Sequence, residues 1–131
     1  GNYLGENKGE TPWPYCGEID IMEQNGWDKT DLYNVLHFYN TGTNKKDEMK
    51  KISNIANSNE FNVYSLVWTK EKIYWLLNNK ITFDHKNMDV MPFDNNHYLL
   101  LNLAIGGILG GKVPEDFREE RMIIDYVRIF Q

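Results

Sequence analysis

The chain has 131 residues, of which 41% are hydrophobic, 14% are aromatic and 25% are charged, and its formal net charge is -5. This composition predicts one folded domain and excludes a disordered chain, and the negative charge disfavours a nucleic-acid partner because it repels phosphates. No stretch approaches the ~20 apolar residues of a membrane span, and the single cysteine, Cys16, excludes an internal disulfide and a multi-thiolate metal site. The many aromatic rings suit the flat faces of sugars or bases.

In chain order, the sequence predicts a loop and then a series of strands. Glycine, proline and polar residues predict the loop over residues 1–16, and strands are predicted over residues 17–23, 33–39, 61–69, 73–77, 80–83, 97–105 and 122–130. Asn78-Asn79 predicts a tight hairpin turn, and the lysine-rich residues 45–51 are interpreted as a solvated loop. No window has a convincing apolar period of 3.6 residues, so the predicted fold is all-β and antiparallel.

The strand over residues 17–23 carries three carboxylates. Strict alternation places Glu18, Asp20 and position 22 on one face, but position 22 is Met22 and the third acid, Glu23, arrives one residue late. A β-bulge at residues 21–22 would return Glu23 to the face of the other two acids. The sequence therefore predicts that all three carboxylates converge.

Carboxylates gathered on one face repel each other, which separates their pKa values. An ionised Glu18 is suited to attack an anomeric carbon, and a protonated Glu23 is suited to donate to the leaving oxygen and later to activate water. Asp20, between them, would adjust both through charge and hydrogen bonding. Two alternatives stay open on the pattern alone: a solvated strand face, and a calcium site, although calcium usually takes loop oxygens.

Residues 13–23, WPYCGEIDIME, followed by Gly26, resemble the active-site signature of glycoside hydrolase family 16 in its laminarinase form, the endo-β-1,3-glucanases. Residues 61–69, 73–75, 101–107 and 125–129 resemble later strands of that family in the same order, so the resemblance runs from residue 13 to residue 131. Met22, the extra residue before Glu23, is similar to the bulge residue of laminarinases, agarases and carrageenases. Lichenases, in contrast, resemble the version of the signature without this residue.

The resemblance implies a concanavalin A-like β-sandwich, a jelly roll with a concave cleft, and a retaining endo-hydrolase of β-1,3-glucan that needs no organic cofactor. Family catalytic domains are about twice as long, and their N-terminal strands have no counterpart here. Residues 1–131 are therefore expected to form one partial catalytic domain whose partner is a missing N-terminal segment of the same enzyme. A polysaccharide substrate also implies a secreted, extracellular or periplasmic protein.

Five further residues are candidates, and the resemblance supports three of them, Trp13, His37 and Asp125. Trp13 and Trp27 are candidates for stacking on a glucose ring, with plain packing as the alternative. His37 lies on the strand after the acids, where the family tends to place a cleft histidine, and a structural role is the alternative. Asn102 interrupts an apolar run, which suits either a cleft hydrogen bond or a buried structural one. Asp125 matches a position whose backbone oxygen often binds a structural calcium away from the cleft.

Two other functions remain as alternatives. A glucan-binding, lectin-like module would keep an aromatic cleft without hydrolysis, although binding alone gains little from holding three carboxylates together. A related hydrolase of agar or carrageenan is the second. Sulfated substrates would favour basic residues in the cleft, and the sequence near the acids has few.

Overall fold

The computed structural model describes residues 11–131. Its strands are β1 (Glu18–Glu23), β2 (Asp31–Asn40), β3 (Lys45–Asn54), β4 (Tyr64–Trp68), β5 (Lys72–Leu77) and β6 (Lys80–Lys86), and its one short helix is α1 (Gly107–Gly110). They form two antiparallel three-stranded sheets, in the orders β1-β2-β3 and β4-β5-β6. The all-β antiparallel prediction is confirmed. The first ten residues of the predicted loop 1–16 lie outside the described residues, and among the described ones no helix is long and apolar enough to cross a membrane.

Alternation along β2 divides the first sheet into two faces. Leu32, Leu36 and Phe38 are buried at even positions, whereas Tyr33 and His37 lie on the other face at odd positions. The predicted turn at residues 78–79 is confirmed, because both asparagines have positive φ angles, 50° and 65°. Asparagine tolerates this conformation better than most residues, and it closes the hairpin between β5 and β6.

The core combines residues of both sheets with the segment after β6. Its fully buried members include Phe38 of β2, Trp75 of β5 and Phe93, and the ring of Phe93 meets that of Phe38 edge to face at 5.8 Å. Burying an aromatic or aliphatic side chain of this size stabilises a fold by roughly 1.5–3 kcal/mol. The odd-numbered face of β2 is thus left for the carboxylates of β1.

The lysine-rich residues 45–51 belong to β3, so the prediction of a solvated loop is wrong. Every residue of β3 is paired with β2, from Lys45 opposite Asn40 to Asn54 opposite Asp31. Asn44, with φ of 59°, lies in the turn just before the strand. Charged side chains are tolerated here because β3 is the edge of its sheet and is mostly exposed.

Two of the predicted strands, over residues 97–105 and 122–130, do not form in the described structure. Leu100, Ile123 and Phe130 are 71%, 74% and 87% exposed. A strand depends on hydrogen bonds from a neighbouring strand, and neither stretch pairs with another strand within residues 11–131. The predicted strand over residues 61–69 does form, although it is shorter, from Tyr64 to Trp68.

Candidate active site

The predicted bulge in β1 is confirmed. Asp20 pairs with Val35 of β2, and Glu23, three residues further on, pairs with Tyr33, which is only two residues from Val35. One residue of β1 is therefore extra between the two pairs, which is the definition of a bulge. The extra residue returns Glu23 to the face that Glu18 and Asp20 share.

Buried polar side chains of the neighbouring strands hold the backbone of the bulge. Asn34 of β2, which is 1% exposed, donates from Nδ2 to the carbonyl oxygen of Ile21 at 2.8 Å. Thr82 of β6 donates its hydroxyl to Oδ1 of Asn34, also at 2.8 Å. Trp75 of β5 donates its indole N–H to the carbonyl oxygen of Asp20 at 3.0 Å. Side chains of both sheets therefore hold the backbone of β1 at the carbonyl groups of Asp20 and Ile21.

Two of the three carboxyls on this face bind protons more tightly than free carboxylic acids. Burial raises the pKa of Asp20 to about 8, and the charges of Glu18 and Glu23 act in the same direction. The pKa of Glu23 is also raised, mainly by burial. Ligand atoms of Glu18, Asp20 and His37 all lie within 4.8 Å of one another, and we interpret this convergence as carboxyls that share protons. Near neutral pH the middle acid, Asp20, is therefore protonated.

Trp13 contacts Glu18 directly. Its indole N–H donates to Oε2 of Glu18 at 2.7 Å, and its ring lies 5.9 Å from the ring of His37. Lys46 places its ammonium 4.0 Å from the centre of the indole ring, in a cation–π contact. Trp13 is 49% exposed, so it is open to a ligand while it orients the carboxylate.

His37 lies on the carboxylate face, not in the core. Its Nε2 is 3.5 Å from Oδ2 of Asp20, and its Nδ1 is 3.3 Å from Oε2 of Glu48. Lys50 in turn lies 3.4 Å from Oε1 of Glu48. Sequence reasoning missed these two residues of β3 because it treated them as a loop. These positions recur every two residues, but the neighbouring positions are mostly charged as well, so the sequence alone gives no signal for them. Pairing with β2 brings them to this face.

The other candidates lie elsewhere. Trp27 is 62% exposed, and its ring packs beside Gly111, where an added Cβ atom would come within 3.1 Å. Asn102 and Asp125 are both exposed, in stretches without strands. Within residues 11–131, the cluster of acidic and histidine ligand atoms that gathers around Asp20 does not include Asp125. The described side chains alone do not assemble a calcium site there, and the roles of these three residues stay predictions.

Comparison with known proteins gives a consistent result. The model of the glycosyl hydrolases of family 16 matches residues 3–128. A beta-glucanase from Rhodothermus marinus is 31% identical, covering 94% of this chain and 47% of that protein, and a glucan endo-1,3-beta-glucosidase from Cryptopygus antarcticus is 32% identical, covering 79% and 43%. A variant of LamA from Zobellia galactanivorans, solved in complex with laminaritriose and laminaritetraose, is 42% identical with a TM-score of 0.80, covering 89% of this chain and 48% of that one. The chain thus spans about half the length of these relatives.

Proposed function

Because this chain belongs to the glycosyl hydrolases of family 16, we propose that it hydrolyses internal β-1,3-glucosidic bonds of laminarin-type glucans by a retaining double displacement. The observation that carries the proposal is the bulge in β1, which brings Glu18, Asp20 and Glu23 to one face. Glycoside hydrolysis needs a pair of carboxyls with different protonation on either side of the bond. The similarity to the LamA structure solved with laminaritriose and laminaritetraose supports the choice of glucan.

In the first step, the carboxylate of Glu18 attacks the anomeric carbon while Glu23 protonates the leaving oxygen. Burial raises the pKa of Glu23, which favours the protonated form that this step requires. Trp13 holds Oε2 of Glu18 through its indole N–H, and protonated Asp20 donates a hydrogen bond to the same carboxylate. Both donors fix the position of the nucleophile before it reacts.

In the second step, Glu23 is ionised and removes a proton from water. The water attacks the anomeric carbon, the ester bond to Glu18 breaks, and the sugar leaves with the configuration it had at the start. Glu23 regains its proton, so both acids return to their initial state. The chemistry uses only carboxyls and water and needs no organic cofactor.

We also propose that a segment of the same enzyme outside these 131 residues completes the cleft. The exposed apolar side chains of residues 98–131 and the greater length of the relatives support this. The same substrate logic supports a protein that acts outside the cytoplasm, where polymeric glucan is met. Hydrolytic activity confined to the cell interior of the source organism would contradict that localisation.

The proposal is tested by release of reducing ends from laminarin, with agarose and carrageenan as competing substrates. We expect release from laminarin by the parent, loss of at least about 1,000-fold in Glu18→Gln, and unchanged laminarin binding in affinity electrophoresis. Glu71→Gln, at an exposed position just before β5, is the matched control and retains the rate.

The configuration of the first product, followed by proton NMR, tests the stereochemistry. A β-anomer formed first supports double displacement, and an α-anomer contradicts it. Binding of laminarin by the parent without release from any substrate would instead favour the glucan-binding alternative. Release from agarose or carrageenan alone would reject β-1,3-glucan as the substrate.

A further inference from the structure

The register of the first sheet aligns charged residues of β3 with the acids of β1. Glu18 pairs with His37, and His37 pairs with Glu48, so these side chains form one row across the sheet. Lys50 lies two residues further along β3 and therefore projects from the same face as Glu48. The side chains of Glu48 and Lys50 are 42% and 46% exposed and are joined by an ion pair of 3.4 Å.

Glu48 is connected to the acids through His37, and Lys50 is connected to Glu48. Glu48 reaches His37 at 3.3 Å, and the other nitrogen of that imidazole lies 3.5 Å from Asp20. The imidazole thus stands between a carboxyl of the catalytic strand and a carboxylate of the edge strand. Lys50 holds Glu48 at its far side. The contacts therefore run without a break from Asp20 through His37 and Glu48 to Lys50.

We propose that Glu48 and Lys50 are an opposed pair of positioning residues that set the proton affinity of the catalytic acid Glu23. This rests on the proposed function, in which Glu23 must carry a proton to begin the reaction. A negative charge near a carboxyl favours its protonated form, and a positive charge favours its ionised form. Glu48 therefore extends the reaction to higher pH, and Lys50 limits this extension.

The electrostatics of the face agree in sign with this assignment. Burial is the main cause of the raised pKa of Glu23; the charges of Glu18 and Glu48 add to it, and those of His37 and Lys50 oppose it. Glu48 also raises the pKa of Asp20, after burial and the nearer acids. The titratable and charged groups on this face of the three strands are Glu18, Asp20, Glu23, Asp31, Tyr33, His37, Tyr39, Lys46, Glu48 and Lys50.

The experiment is a carbon-13 NMR titration of the side-chain carboxyl of Glu23, assigned by comparison with Glu23→Gln. We expect Glu48→Gln to lower the midpoint and Lys50→Gln to raise it, each by about half a pH unit because both charges are partly screened by water. The double variant should return close to the parent value. Lys51→Gln is the matched control, since it removes the same charge from an exposed side chain on the opposite face of β3.

Shifts of the same sign in the two single variants, or no shift in either, would overturn the proposal, as would an equal shift in Lys51→Gln. Nitrogen-15 correlation spectra of each variant establish that the fold is retained. The basic limb of the pH profile of kcat/KM on laminarin should move in the same directions as the midpoint. If the parent hydrolyses none of the glucans tested, the proposed function fails, while the titration still decides the role of the pair.

Discussion

The hydroxyl of Thr82 links the second sheet to the bulge of β1, and removing it should lower the free energy of unfolding measurably. It donates to Oδ1 of Asn34 at 2.8 Å, and Asn34 donates in turn to Ile21 inside the bulge. Thr82→Val preserves the shape of the side chain but leaves a buried amide oxygen without its donor. Such a group costs about 1–3 kcal/mol of the free energy of unfolding. Thr82→Ser keeps the hydroxyl and loses one half-buried methyl, which costs about 0.8 kcal/mol or less.

Urea unfolding followed by tryptophan fluorescence measures the difference. The valine variant should be less stable than the serine variant by roughly 0.2–3 kcal/mol, with an unchanged dependence on urea concentration. Asn34→Ala combined with Thr82→Val should cost less than the sum of the two single changes, because both remove the same bond. A valine variant as stable as the serine variant would refute the reasoning that this hydroxyl supports the bulge.

Two further predictions concern the acids. The pKa of Asp20 is raised from its ordinary value of 3.8 to about 8, so the folded state keeps a proton that the unfolded state releases, and this contribution to stability is lost as pH rises through that interval. Asp20→Asn should therefore reduce the fall in the free energy of unfolding between about pH 4 and 8, by at most about 1.4 kcal/mol per pH unit. Urea titrations at several pH values measure this fall, and equal slopes in the parent and the variant would count against the prediction. Trp13→Phe keeps an aromatic ring but removes the donor to Glu18, so kcat on laminarin should fall about 3- to 10-fold with little change in KM. A kcat equal to that of the parent would show that Trp13 acts only as a stacking surface.

The face and the bulge of β1 were predictable because both follow from the spacing of its own residues. The alternation of Glu18 and Asp20 with isoleucines defines a face, and the late position of Glu23 requires a bulge to keep that face. The turn at residues 78–79 was likewise predictable, because asparagine favours the positive φ angles that both residues adopt. Each of these features depends on residues close together in the sequence.

The role of β3 was not predictable in the same way. Its charged residues occupy both odd and even positions, so the sequence marks no apolar face. Lys46, Glu48 and Lys50 therefore have the pattern of a solvated segment. The strand exists because β2 pairs with it over ten residues, and that pairing is a tertiary property. The contact of Glu48 with His37 follows from the register, which the sequence alone does not fix.

Residues 97–105 and 122–130 show the converse case, a strand-like composition without a strand. Their apolar side chains are largely exposed because no neighbouring strand within residues 11–131 pairs with them. β1 also lies at the edge of its sheet in the described structure, so only β2 pairs with it there. The second sheet adds two supports: the bond from Trp75 to β1, and the bond from Thr82 to Asn34 of β2. The geometry of the acids therefore depends on contacts contained in this chain, whereas the extent of the cleft around them depends on whatever pairs with the two apolar stretches.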